Sequence, residues 1–162
     1  MPIVRLKDDV IRMLVSEAKH IPPGLCSPHR AMPQRNGNYQ KTFDVAAPSG
    51  SEFVVKLRQG VINPANFSVI LGYKIPGSYT VFRLRRYNGK HPHSNHLEGE
   101  RFHSFHIHLA TERYQKAGCD EESYAQETSL HWDLNSAIER MLEDCGFIRP
   151  QDEDLPLFRK QP

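Results

Sequence analysis

The stretch KTFDVAAPSGSEFVVKLRQ, residues 41–59, decides the fold. Apolar and polar side chains alternate in KTFDVA (41–46) and again in SEFVVKLRQ (51–59), and APSG between them is a hairpin signal. A period of two marks a half-buried strand, and two such strands joined by a short turn pair antiparallel. The pattern continues downstream. FSVILGYK (67–74) reads as a third strand, YTVFRLRRY (79–87) after the turn IPGS as a fourth, and FHSFHIHL (102–109) after a long polar loop as a fifth.

Helical periods flank this meander. In LKDDVIRMLVSEAKHI (6–21), Val10, Ile11, Leu14, Val15 and Ala18 fall on one face, Asp8 and Asp9 suit the first turn, and Pro22–Pro23 stop the helix. In DLNSAIERMLEDCG (133–146), Leu134, Ile138, Met141, Leu142 and Cys145 form the stripe, with Asp133 as N-cap and Gly146 as C-cap. DEESYAQETS (120–129) reads as a short helix, residues 22–40 as a long surface loop, and Trp132 as a cap on the core. The expectation is an α+β fold: a single antiparallel meander of four to five strands, packed on one face by N- and C-terminal helices. One domain covers 1–148, followed by a flexible tail over 149–162.

At 38% hydrophobic and 25% charged residues, the composition is that of an ordinary globular chain. No apolar run approaches the roughly 20 residues of a membrane span. Cys26, Cys119 and Cys145 are odd in number, far apart and in no CxxC pair, which argues against a disulfide framework and fits a cytoplasmic location. The net charge of +2 hides an asymmetry. Residues 53–116 carry ten Lys and Arg against three Glu, a balance of +7, whereas residues 117–162 carry four against eleven acids, a balance of −7. A basic middle suits RNA or another polyanion.

Alternation assigns faces. Phe53, Val55 and Leu57 oppose Val54, Lys56 and Arg58; Thr80, Phe82 and Leu84 oppose Val81, Arg83, Arg85 and Tyr87; Phe105, Ile107 and Leu109 oppose Ser104, His106 and His108. With the apolar sets buried, Arg83, Arg85, His106 and His108 share the open face, joined by Lys56 and Arg58 if the meander registers that way. Arginine gives phosphate bidentate donors, and histidine titrates near neutrality, so a pair supplies a general base and a general acid. The RNA 2′-hydroxyl is an internal nucleophile, so such a set needs no metal and no other cofactor. Tyr87, His91, Lys56, Arg58 and Glu112 are the expected substrate contacts.

Six of the nine histidines lie within residues 91–108. In GKHPHSNHLEGE (89–100), His91, His93 and Glu98 form HxH with an acid five positions on, which resembles the first metal motif of the cupins. Imidazole and carboxylate suit zinc, iron or manganese, so these three residues are the alternative, metal-dependent site. No second cupin motif follows.

FRLRRYNGKHPHSN (82–95), FHIHLATERY (105–114) and SAIERMLEDCGF (136–147) together resemble a bacterial and phage-associated domain family to which no activity is assigned. A more distant resemblance is to the TumE-like toxins of toxin–antitoxin pairs, carried by Arg86, Tyr87, Asn88, Gly89, His91, Pro92 and His93, then His103, His106 and His108. It implies a ribonuclease with a cognate antitoxin. A helix followed by an antiparallel meander is also similar to the fold of the barnase, colicin and RelE-type ribonucleases. This chain departs from those toxins in its acidic helical end and in Gly89. The sequence reading is thus a small, metal-independent endoribonuclease, with catalytic His106, His108, Arg83 and Arg85. The alternative is a phage or defence-related module that binds nucleic acid or an acidic partner through its basic sheet face.

Overall fold

The computed structural model describes residues 4–27 and 32–149. In chain order the elements are α1 (Asp8–Ser16), β1 (Lys19–His20), β2 (Gln34–Arg35), β3 (Asn38–Ala46), β4 (Glu52–Gly60), β5 (Phe67–Lys74) and β6 (Val81–Asn88). They continue with β7 (His93–Asn95), β8 (Glu100–Phe102), β9 (His106–Leu109), α2 (Glu112–Lys116), β10 (Ala125–Glu127), α3 (Leu134–Asp144) and β11 (Phe147–Ile148). The α+β class holds. The main sheet has seven strands in the order β10-β9-β6-β5-β4-β3-β2, all antiparallel.

Both additional strands sit at the edges. β2 comes from the stretch expected to be loop, of which 28–31 lie outside the described residues. β10 replaces the helix expected over 120–129. An isolated helix of that length is marginal, and pairing with the open edge of β9 wins. Arg149 pairs with Glu139 at 2.6 Å, and the rest of the expected tail, 150–162, lies outside the described residues.

Phe53, Val55 and Leu57 of β4, Val69 and Leu71 of β5, and Phe82 and Leu84 of β6 bury one sheet face. Leu134, Ala137, Ile138, Met141 and Leu142 of α3 pack on it, and Ile11, Leu14 and Val15 of α1 join the same cluster. Each such side chain contributes about 1.5–3 kcal/mol by leaving water. Asp133 caps α3 as expected, accepting from the Ser136 N–H at 2.8 Å. Gly146 follows with φ +76, and its Cβ position would lie 2.4 Å from the Glu17 carbonyl, so only glycine fits that exit. Trp132 does not cap the core: it is 64% exposed. His131 takes the buried position instead, edge-on to Phe67, Tyr87 and Phe105, with Nε2 2.8 Å from the Asn88 carbonyl.

One irregularity redistributes the expected faces. Gly72 pairs with Arg83, but Leu71 pairs with Arg85, so Leu84 is an inserted residue in β6. A bulge reverses parity beyond it. Arg83 stays on the open face before the bulge. After it, Arg85 and Tyr87 turn toward the helices, and Arg86 and Asn88 toward the open face.

Candidate metal centre

Two cross-strand rows build the site. Arg58, Ser68, Asn88 and His106 lie side by side across β4, β5, β6 and β9. Lys56, Ile70, Arg86 and His108 form the next row. Gly89 closes the first row tightly: a Cβ there would meet the Ala65 carbonyl at 1.9 Å.

His106 and His108 leave the helix face, as alternation requires, yet they are 0% and 8% exposed. Phe105, Ile107 and Leu109 on the opposite side are only half-buried. The cover comes from the β7–β8 hairpin, which folds over this end of the open face. The His93 ring lies 5.5 Å from that of His106 and 4.9 Å from that of His108, and Phe102 adds its ring 5.4 Å from His106. Asn95 clasps β10 much as a strand would: its amide donates to the Ala125 carbonyl at 2.7 Å and accepts from the Ala125 N–H at 2.9 Å.

One ring nitrogen each from His93, His106 and His108 lies within 4.8 Å of the others. Their hydrogen bonds fix which nitrogen is free. His106 donates Nδ1–H to the Ser104 carbonyl at 2.7 Å, and His108 donates Nδ1–H to the Glu122 carbonyl at 2.6 Å, so both present an Nε2 lone pair. Asn95 Oδ1 is an acceptor by its bond to Ala125, so His93 donates Nε2–H to it at 2.8 Å and keeps its lone pair on Nδ1. This backing of ligand imidazoles by carbonyl and amide oxygens is typical of metal sites. The Asn88 amide donates at 2.8 Å to His108 Nε2 and lies 3.4 Å from His106 Nε2, while its oxygen accepts from Arg86 Nε at 3.0 Å. Zinc bonds of 2.0–2.1 Å place tetrahedral nitrogens roughly 3.3 Å apart, so binding would draw the rings together by about an ångström and displace the amide.

Burial, reinforced by neighbouring imidazoles, pushes the His108 pKa down to about 3 and that of His106 to about 4. His91 is lowered too, again first by burial; its ring stands edge-on to His106 at 4.7 Å. Near neutrality His106 and His108 are uncharged, the form that ligates metals. An imidazolium general acid is not available from His106 or His108 at that pH.

The other expected site residues separate. Arg83 stays on the open face, paired with Glu121 and Glu122, each at 2.5 Å. Arg85 faces the helices, 3.6 Å from Asp144, because of the bulge. Tyr87 is buried beside it and donates to Asp144 at 2.9 Å, so it is a core residue and not a substrate contact. Glu112 pairs with Lys116 at 3.0 Å and receives the Asp8 N–H at 3.4 Å, which ties α1 to α2. Glu98 pairs with Arg113 at 2.5 Å and accepts from the Tyr114 hydroxyl. The metal set expected from His91, His93 and Glu98 is therefore not assembled; His93 joins the β9 histidines instead. Asn95 and Ser68 were not singled out by the sequence reading, and Asn88 entered it only in the resemblance to the TumE-like toxins. Only Asn88 carried a signal, as the polar end of RRYN.

No family model, curated protein or solved structure matches this chain.

Proposed function

We propose that His93, His106 and His108 hold one divalent transition-metal ion, zinc by ligand type, and that the protein is a metal-dependent hydrolase. The observation that carries this is the convergence of three imidazoles, two of them buried and held neutral, each backed by an oxygen acceptor. Three protein ligands leave a fourth position for water, whose pKa a bound zinc ion lowers to about 7. His91, beside His106 and only half-buried, stands where a proton can be passed to solvent. The metal-free acid–base reading of His106 and His108 is less well supported, because burial holds both rings neutral and the β7–β8 hairpin covers them.

The test is a calorimetric zinc titration of chelator-treated protein, alongside hydrolysis of chromogenic esters. One ion per chain at submicromolar affinity is expected, with activity lost on chelation and restored by zinc. Activity that survives chelation in zinc-free protein would overturn this reading in favour of the metal-free nuclease.

A further inference from the structure

Beside the histidines, the open face forms a trough of about 430 Å³ with an apolar part, whose polar lining includes Lys56, Arg58, Ser68, Arg83, Arg86 and the carboxylate of Glu122. Its charge is unevenly compensated. Glu122 pairs with Arg83 at 2.5 Å and with Arg86 at 3.1 Å. Arg58 has only amide partners, Asn38 Oδ1 at 3.2 Å and Asn66 Oδ1 at 3.3 Å, and no carboxylate within ion-pair distance among the described residues. Lys56 has no ion-pair partner among them either. Two cations on adjacent rows, one of them a half-buried guanidinium, repel each other unless an anion lies between them.

The floor carries an independent sign of a ligand. Ser68 is fully buried, lies between Arg58 and Asn88 in the same row, and its Oγ has no hydrogen-bond partner among the described residues. A buried hydroxyl without a partner is destabilising, and an anion seated above it would accept that hydrogen bond.

We infer that this trough binds a phosphate group of a phosphodiester substrate, with Arg58, Lys56 and Ser68 donating to its oxygens and Arg86 flanking it on the side of the histidines. The donors differ in direction: a guanidinium fork, an ammonium and a hydroxyl from below. That arrangement fits a tetrahedral anion with several acceptor oxygens better than a planar carboxylate. Arg86 is the cross-strand neighbour of His108, so a phosphate held here lies beside the proposed metal. The assignment of phosphodiester as the substrate class rests on the metal-hydrolase reading; the anion site itself does not.

The experiment uses two probes at low salt, inorganic phosphate and a single-stranded uridine oligoribonucleotide, with wild type, Arg58→Met, Lys56→Met and Ser68→Ala. Both probes are expected to bind and to compete. Loss of a charge-assisted donor in Arg58→Met should weaken each by about tenfold to a hundredfold, and loss of the hydroxyl in Ser68→Ala by roughly twofold to tenfold. Lys56 is exposed, so its variant tests the site without risk to the fold. Oligoribonucleotide binding that phosphate fails to displace, or affinities unchanged in both Arg58→Met and Lys56→Met, overturn the phosphate site. Zinc bound with those affinities unchanged refutes the trough alone. Phosphate binding that falls in Arg58→Met, in protein that takes up no zinc, refutes the metal centre alone.

Discussion

Two buried basic sites lie on opposite faces of one sheet, and they are built in opposite ways. On the helix side, Lys19 is fully buried, and its ammonium donates to the carbonyls of Leu14, Val15, Glu17 and Cys145 at 2.7–2.9 Å, above the Phe53 ring. These carbonyls belong to the C-terminal ends of α1 and α3, where helix dipoles favour a cation. On the other side, His93, His106 and His108 are held from behind by acceptors and each brings a ring nitrogen within 4.8 Å of the others, with the Asn88 amide as the donor that His106 and His108 share. The first site brings its own cation and is complete. The second is a set of acceptors that a cation would complete. Burial alone does not separate structure from function; the sign of what faces inward does.

The largest expected effect is on the complete site. Lys19→Met leaves four carbonyls at two helix ends without their donor. It should cost about 3–5 kcal/mol in chemical denaturation, while zinc affinity per folded molecule stays unchanged. A smaller loss would mean that water replaces the ammonium and that Lys19 is not the link between the helices.

Acid should act on the other site. In zinc-free protein the folded-state pKa values of His106 and His108 lie near 4 and 3, below the usual 6.5. Between those values the unfolded chain binds more protons than the folded one, so stability must fall as pH drops from about 6.5 toward 4. The lowered His131 adds in the same direction. Lys19, lowered to about 8 from 10.5, obeys the same sign in its own window: stability gains from pH 8 toward 10.5. A melting temperature several degrees lower at pH 5 than at pH 6.5, markedly reduced in a His106→Asn/His108→Asn double variant that keeps only the His131 contribution, is the expected record.

The smallest effect tests the bulge. Tyr87→Phe removes a hydroxyl bonded to Asp144 on the helix side and should cost about 1 kcal/mol, with zinc and phosphate binding unchanged. Arg86→Met, one residue earlier and on the opposite face, should weaken phosphate binding instead. A weakened phosphate affinity in Tyr87→Phe would place that residue back in the trough.

The sequence made the local parts legible. α1, α3 with its Asp133 cap, and the β3–β4 hairpin each declare themselves through a period and a terminus within a dozen residues. The parity of β6 was not legible, because in FRLRRY arginines flank the leucine on both sides and no apolar residue marks where the bulge falls. That is why Arg85 was read onto the face that Arg86 occupies. The candidate site was half legible. HIH in β9 reads as an acid–base pair with His91 as a substrate contact, and HPH with Glu98 as the alternative metal set, so His93 and the β9 pair fall in different sites. Their union depends on a hairpin folding back across about a dozen residues and on Asn95 clasping β10, neither of which leaves a periodic trace.

Cobalt(II) titration, followed by visible absorption in wild type and in His93→Ala, His106→Ala, His91→Ala and Glu98→Gln, tests the three-histidine centre itself. One tetrahedral cobalt per chain is expected, displaced by zinc, lost in His93→Ala and His106→Ala and retained in Glu98→Gln and His91→Ala. No cobalt spectrum in folded wild type, or a spectrum that survives His106→Ala, would contradict it.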